Sequence, residues 1–178
     1  KMTGGDKFLP WTGAVYASWA EAGIAAGDLV FNFESKIWIE NTEKQLKNYI
    51  DLIKKNWVYT EPVRPNNLPI VATLTKAQSI VDYGGGSGWL YFAMRLALPT
   101  NTIEKYIVLE NREVVNYYKL SNFFETSKSI EFKCYEDLKK TLNVDIFYCN
   151  SVLQYHQDNN ELVGVISAVK SKFLFFVF

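Results

Sequence analysis

Residues 80–92 read IVDYGGGSGWLYF, and this stretch decides the fold. An apolar run ends in Asp82, and four glycines follow within five positions, in a chain of 178 residues with only ten glycines. Glycine adopts positive φ at little cost and leaves no Cβ between the backbone and a bound group. A glycine-rich turn directly after a strand therefore predicts a ligand-binding loop at the carboxyl end of that strand.

Short apolar runs alternate with helical segments on both sides of this turn. The predicted strands cover residues 79–83, 105–110, 130–134, 144–149 and 172–178. The predicted helices cover residues 70–78, 88–98, 114–124 and 160–170, with a further short helix around Leu138. Apolar strands that alternate with helices are typical of a parallel sheet covered on both faces. We therefore predict an α/β fold with a doubly wound, mostly parallel sheet.

The first 68 residues have a different pattern. They predict an N-terminal helical cap and linker at 1–68, followed by the α/β domain at 69–178, with a loop rich in Pro and Asn between them. The sequences that begin at Ser18 and at Thr42 match the capping box that starts many helices. After the second box, one predicted helical face carries Leu46, Ile50, Ile53 and Trp57.

Composition and charge exclude several classes of protein. Lys plus Arg equals Asp plus Glu at 19 each, without a basic run, which argues against a nucleic-acid surface. Cys134 and Cys149 lie in apolar runs and are predicted to be reduced core residues of a cytoplasmic protein. One histidine and no CxxC pair argue against a metal site. No apolar stretch reaches the ~18 residues that predict a membrane span.

The spacing of the glycines separates two classes of cofactor. A dinucleotide site requires G-x-G-x-x-G, and every register that starts within this cluster fails, because a large side chain such as Trp89 occupies the third glycine place. The spacing that fits is acid-x-G-x-G-x-G, formed by Asp82, Gly84, Gly86 and Gly88.

This spacing resembles motif I of the class I S-adenosylmethionine-dependent methyltransferases. The resemblance implies that S-adenosyl-L-methionine is the cofactor and that its methionine part is held by Asp82, Gly84, Gly85, Gly86 and Gly88. The chemistry agrees, because that part carries an ammonium group, which an acid attracts. A dinucleotide pyrophosphate would be repelled by the same acid.

Three further strand ends support this resemblance. Glu110, followed by Asn111, matches the acid that accepts hydrogen bonds from the ribose hydroxyls in that family. Tyr135 follows the third strand, where such enzymes contact adenine. Asn150 and Ser151 follow the fourth strand in a segment that looks like motif IV, a turn beneath the cofactor. Each of these residues also has a simpler interpretation, as a solvated strand end, a loop residue or a cap of the following turn.

A narrower resemblance spans nearly the whole chain. Segment 11–22, WTGAVYASWAEA, followed by DYGGGSG, LEN and NSVLQY, looks like a family of bacterial methyltransferases often found among genes for surface polysaccharide assembly. It implies a small-molecule or sugar acceptor and a role in polysaccharide biosynthesis. The aromatic residues Trp11, Tyr16 and Trp19 then either line an acceptor pocket or pack the cap onto the core.

His156 is the candidate catalytic residue. It is the sole histidine, follows the fourth strand, and has a pKa range that suits a general base for a hydroxyl acceptor. Its polar neighbours in sequence equally fit an exposed loop residue.

Two rival functions stay open, together with the nature of the chain's end. One rival is a nicotinamide-dependent oxidoreductase, which Trp89 and Asp82 disfavour, and the other is a non-catalytic methyltransferase-like binding or assembly module. The sequence stops at FLFFVF after a fifth strand, where class I methyltransferases continue with an antiparallel hairpin. An apolar edge of this kind invites strand pairing. The alternatives are a fragment, missing strands supplied by another chain, or a homodimer formed over that edge.

Overall fold

The computed structural model describes residue 21 and residues 36–55, 67–98, 103–120, 129–138, 140–152 and 159–177. The helices within these ranges are α1 Lys36–Lys54, α2 Leu68–Thr75, α3 Trp89–Ala97, α4 Arg112–Leu120 and α5 Asn159–Ala168. The strands are β1 Ser79–Tyr83, β2 Lys105–Glu110, β3 Ile130–Cys134, β4 Leu142–Asn150 and β5 Val169–Val177. A 3₁₀ turn, Tyr135–Asp137, follows β3.

The five strands form one parallel sheet in the order β3-β2-β1-β4-β5. Asp82 of β1 lies opposite Val108 of β2 on one side and Tyr148 of β4 on the other. The direction of strand addition reverses between β1 and β4, and open sheets of this kind bind ligands at the carboxyl ends of those strands. The predicted doubly wound parallel sheet is therefore confirmed.

Side chains that alternate along the strands build a core on each face of the sheet. One core packs against α1, α2, α3 and α4, and its strand residues include Ile80, Tyr106, Val108, Ile146 and Tyr148. The other packs against α5, and its strand residues include Val81, Tyr83, Ile107, Leu109 and Phe147. Because β1, β2 and β4 are covered on both faces, they read in sequence as nearly continuous apolar runs.

The predicted strand bounds are correct for β1, β2 and β3, and less so afterwards. The helix predicted over 160–170 ends at Ala168, because Val169 and Lys170 begin β5 and pair with Leu142 and Asn143 of β4. The helix predicted over 70–78 ends at Thr75, where Lys76 adopts the left-handed conformation with φ 52°.

The capping box predicted at Thr42 is wrong, because α1 begins at Lys36 and Thr42 lies inside it. The Thr42 hydroxyl donates instead to the carbonyl of Ile39 at 2.9 Å, a bond that threonine commonly makes within helices. The predicted apolar face is present where it is described, with Leu46 fully buried and Ile50 partly buried. Ser18 and Trp57 lie outside the described residues, and the domain boundary at 68/69 stays a prediction.

Cys134 and Cys149 are buried free thiols, as predicted.

Among the described helices, none combines the length and hydrophobicity that crossing a membrane requires.

Candidate functional site

The glycine turn between β1 and α3 uses the left-handed region of φ three times. Gly84, Gly86 and Gly88 have φ of 69°, 55° and 69°. The amide of Gly84 donates to the carbonyl of Leu109 at 2.9 Å, which ties the start of the turn to β2. A side chain at any of these three positions would strain the backbone, so the sequence expectation about their conformation is confirmed.

The space left by the missing Cβ atoms in this turn is occupied by other side chains of the protein. A Cβ at Gly85 would lie 2.5 Å from Oδ2 of Asp82, and one at Gly88 would lie 2.8 Å from Cδ1 of Ile130. A Cβ at Gly84 would collide with the side chain of Val152. The sequence interpretation assigned this free space to a ligand. At these three positions it is filled by the Asp82 carboxyl and by apolar side chains.

Asp82 is buried beneath the turn, with 3% of its surface exposed. Its Oδ2 accepts a hydrogen bond from the Tyr106 hydroxyl at 2.7 Å. Burial raises the pKa of Asp82 to about 7, the Tyr106 hydrogen bond opposes that shift, and the charge of Glu110 adds to it. The carboxyl therefore titrates near neutral pH, and a cation placed beside it would favour the ionised form.

Glu110 at the end of β2 holds the turn from the other side. Its Oε1 accepts the amide of Gly86 at 3.0 Å, and its Oε2 accepts the amide of Asn111 at 3.0 Å. Burial raises the pKa of Glu110, and these two N–H groups oppose the shift. Asn111 caps α4, since its Oδ1 accepts the amide of Val114 at 3.0 Å. Both residues thus have local structural roles at the position where a cofactor contact was predicted.

A cavity of about 200 Å³ opens beside the turn, between β1, β4 and α1. It is lined by Thr42, Asp82, Gly84, Gly85, Gly86, Ser87, Trp89, Leu90, Tyr148, Asn150 and Ser151. The cavity brings together six of the predicted site residues, and the lining does not include Gly88, Glu110, Asn111 or Tyr135. Cofactor clefts commonly measure ~300–1,000 Å³, so this one has room for the amino-acid end of a nucleoside cofactor.

Three polar lining residues, Thr42, Ser87 and Tyr148, were missed from the sequence, although Ser87 lies within the glycine turn itself. Tyr148 lies beside Asp82 in the β1–β4 register and two residues before Asn150, so the alternation along β4 could have placed it on this face. No local signal marked Thr42, because its position depends on how α1 packs against the α/β core.

Solved structures similar to this chain include methyltransferases, one described as S-adenosylmethionine-dependent and one solved with S-adenosylmethionine. The enzyme from Aquifex aeolicus is 15% identical with a TM-score of 0.45, over 80% of this chain and 70% of that one. The methyltransferase domain of bacterial CtHen1 is 18% identical with a TM-score of 0.40, over 57% and 55% of the two chains. Human N-acetylserotonin methyltransferase, solved with S-adenosylmethionine, is 19% identical with a TM-score of 0.41, over 71% and 34%.

The chain thus spans about half of the CtHen1 domain and about a third of the human enzyme. No protein-family model matches the chain, and no curated protein matches it. The strand order, the parallel register and the glycine turn after β1 define its architecture. This is a Rossmann-like α/β fold.

At the end of β4, three polar side chains form a short chain of hydrogen bonds along the cavity wall. The Asn150 amide donates to the Tyr148 hydroxyl at 3.3 Å, and the Ser151 hydroxyl donates to Asn150 Oδ1 at 2.9 Å. Ser151 has φ 55°, and its backbone amide donates to the Val177 carbonyl of β5 at 2.9 Å. Burial raises the pKa of Tyr148 to about 12, so its hydroxyl stays protonated and acts as a hydrogen-bonding group.

Tyr135 lies away from the cavity, in the core on the α5 side of the sheet. Its ring stands edge-on to that of Tyr83, with centroids 5.9 Å apart. Arg112 fixes the 3₁₀ turn that carries it, by hydrogen bonds of 2.9 Å to Asp137 and 3.0 Å to Glu136. The predicted adenine contact at Tyr135 stays a prediction.

His156 lies outside the described residues, and so do Trp11, Tyr16 and Trp19. The role of His156 as a general base, and that of the aromatic residues in an acceptor pocket, therefore remain predictions from the sequence. Among the described residues, no cluster of His, Cys, Asp and Glu is arranged to hold a metal ion.

Proposed function

We propose that this chain binds S-adenosyl-L-methionine and transfers its methyl group to a small molecule or a sugar. The observation that carries the proposal is Asp82, a buried carboxyl at the carboxyl end of β1, on the wall of a cavity shared with the glycine turn. In a sheet of this strand order, the reversal between β1 and β4 is the place where ligands bind.

The residues around the cavity fit the amino-acid end of the cofactor. The wall offers the Asp82 carboxyl and four hydroxyl-bearing residues, which are Thr42, Ser87, Tyr148 and Ser151. Among the described residues that line it, none is Lys or Arg. An ammonium group is attracted by such a wall, whereas a pyrophosphate would meet an acid without a compensating cation. This favours S-adenosylmethionine over a nicotinamide dinucleotide.

Glu110 is the proposed ribose site. It is on the strand next to Asp82, and each of its carboxylate oxygens accepts one backbone N–H. An ionised carboxylate has about four lone-pair sites, so these bonds leave capacity for the two ribose hydroxyls. The nucleoside would then run along the carboxyl edge of the sheet from Asp82 towards β2.

In the proposed reaction, the main role of the residues of this chain is to position the methyl donor and the acceptor. When bound, S-adenosylmethionine supplies a methyl group on a sulfonium that departs as a neutral thioether. Asp82, Glu110 and the turn orient that group, and alignment alone can lower a barrier by several kcal/mol, up to ~7–11 in the best-oriented cases. A hydroxyl acceptor must also lose its proton, and we assign that role to His156.

We extend the proposal to an acceptor that is a small molecule or a sugar and to a role in surface polysaccharide biosynthesis. Its support is the sequence resemblance carried by segment 11–22, DYGGGSG, LEN and NSVLQY. Incubation with labelled S-adenosylmethionine and a panel of nucleotide sugars tests it. Label that appears only on an acceptor of another class would overturn this extension and leave the methyl transfer in place.

Calorimetric titration with S-adenosylhomocysteine tests the cofactor assignment. Asp82→Asn and Glu110→Gln keep the shape of each side chain and should each weaken binding by roughly ten- to a hundredfold, the value of a hydrogen bond to a charged group. Glu131→Gln, an exposed acid on β3, is the matched control and should bind as the parent does. Unchanged affinity in both site variants, or binding of NADH in place of S-adenosylhomocysteine, contradicts the proposal.

A further inference from the structure

Two consecutive tyrosines of α4 bond to two consecutive residues of α1. The Tyr118 hydroxyl lies 2.9 Å from Oγ1 of Thr42, and the Tyr117 hydroxyl donates to Oε2 of Glu43 at 2.7 Å. Of the two α1 residues, Thr42 lines the cavity beside Asp82, and Glu43 does not.

The contact between Tyr118 and Thr42 is rigid. Tyr118 is 1% exposed, and its ring stacks on Phe132 with centroids 5.4 Å apart and planes at 26°. Thr42 gives its proton to the carbonyl of Ile39, so its oxygen acts towards Tyr118 as an acceptor. The threonine is therefore held between its own helix and a tyrosine ring that is fixed in the core.

We propose that Thr42 is a binding residue for the amino-acid end of the cofactor and that Tyr118 is the positioning residue that holds it. The inference rests on the proposed function. An ammonium group has three N–H donors. The cavity presents oxygen-bearing side chains from three separate elements, namely Asp82 of β1, Thr42 of α1 and Tyr148 of β4. That arrangement matches a primary ammonium group, and it assigns α1 a part in binding as well as in covering the core.

Helix α4 also connects Thr42 to the proposed ribose site. Helix α4 begins directly after Asn111, whose amide is held by Glu110, and carries Tyr118 in its last turns. One helix therefore sets both the acid at the end of β2 and the threonine on α1.

The test compares S-adenosylhomocysteine with adenosine, which lacks the amino-acid end, by calorimetry on the full chain. Thr42→Val should weaken S-adenosylhomocysteine binding by roughly 10- to 100-fold and leave adenosine binding unchanged, because only the former ligand carries the ammonium group. Tyr118→Phe keeps the ring stack and should weaken S-adenosylhomocysteine binding by roughly three- to tenfold. Tyr117→Phe is the matched control, because it removes the neighbouring hydroxyl, which bonds to Glu43 away from the cavity.

The outcomes separate this inference from the proposed function. If Thr42→Val and Tyr118→Phe bind S-adenosylhomocysteine as the parent does, the inference is overturned and the cofactor assignment stands. If the parent binds neither ligand, the proposed function fails, and the inference fails with it. Thr42→Ser keeps the hydroxyl and should restore affinity. If Thr42→Val does not fold, equal weakening of both ligands in Tyr118→Phe is the overturning result.

Discussion

Asp82 lowers the stability of the fold at neutral pH, where its buried carboxyl begins to ionise. Its pKa in the folded chain is about 7, against 3.8 for an ordinary aspartate, because burial disfavours the charge. Between these two values the folded chain retains a proton that the unfolded chain has lost. The contribution of Asp82 to the free energy of unfolding is therefore fully present below about pH 4, and it is lost as the pH rises to about 7. We infer that the ionised carboxyl is kept for binding rather than for folding.

The stability of an Asp82→Asn variant should depend less on pH. Three pKa units correspond to about 4 kcal/mol, which the parent should lose between pH 4 and pH 7 and the variant should retain in large part. Urea unfolding at several pH values measures the difference. Asp145→Asn is the control, because hydrogen bonds from Lys172, Gln78 and Ser79 lower the pKa of Asp145. Its contribution to stability is therefore already complete above the pKa of an ordinary aspartate, and its profile should run parallel to that of the parent between pH 4 and pH 7. Parallel profiles for the parent and Asp82→Asn between pH 4 and 7 would contradict the assignment.

The affinity for the cofactor should also depend on the protonation state of Asp82. Below pH 7 the protonated Asp82 no longer attracts an ammonium group, so the affinity for S-adenosylhomocysteine should fall about tenfold for each unit of acidification. Binding near pH 6 should release a proton, which calorimetry detects as a heat that depends on the buffer. An affinity that stays constant from pH 8 to pH 5.5 would rule out a role for the Asp82 charge.

At the scale of elements, the glycine turn is fitted to the strands around it. Gly88 begins α3 against β2 and β3, where a Cβ would approach Ile130, Phe132 and Val108. Gly164, by contrast, lies in α5 with open space around its Cα. The same substitution should therefore have opposite effects at the two positions.

Gly88→Ala should destabilise the chain by about 1–2 kcal/mol from its left-handed conformation alone, with the contact to Ile130 adding to this. Gly164→Ala should stabilise it by about 0.5–1 kcal/mol, because alanine loses less entropy in a helix. Urea denaturation of the two variants provides the comparison. A Gly88→Ala protein as stable as the parent would show that the turn can relax away from β3.

Much of this architecture could be predicted from the sequence, because strands covered on both faces are apolar throughout. Asp82 and Glu110 were found as acids that end such runs. The start of β5 was missed because Val169 and Lys170 continue the pattern of α5, and only pairing with β4 makes them a strand. Thr42 was assigned as a cap because its neighbours in sequence fit one. Its actual partner, Tyr118, is 76 residues away, and local patterns carry no information about such contacts.

For the whole molecule, the open side of β5 is the exposed apolar feature of the described sheet. Phe173 is 41% exposed and Leu174 is 49% exposed, on opposite faces of an edge strand that pairs only with β4 among the described strands. Edge strands of this kind pair with other strands unless charges prevent it. We expect the chain to self-associate through this edge.

Leu174→Lys should lower that association. Light scattering over a range of concentrations should show a mass that rises with concentration for the parent and stays nearer the monomer value for the variant. Val163→Lys is the matched control, since Val163 is 58% exposed but lies on helix α5, which offers no unpaired backbone. Equal masses for all three proteins would contradict a role for the β5 edge.

The strand order has a consequence for how the chain emerges during synthesis. Strand β1 is central, β2 and β3 join it successively on one side, and β4 and β5 then join on the other. No later strand has to be inserted between two that already pair, so the sheet can grow outward as the ribosome releases it. Asp82, the glycine turn and Glu110 all lie on the part that is made first. A nascent chain that ends after β3 already holds both acids, Asp82 and Glu110, before β4 adds its side of the cavity.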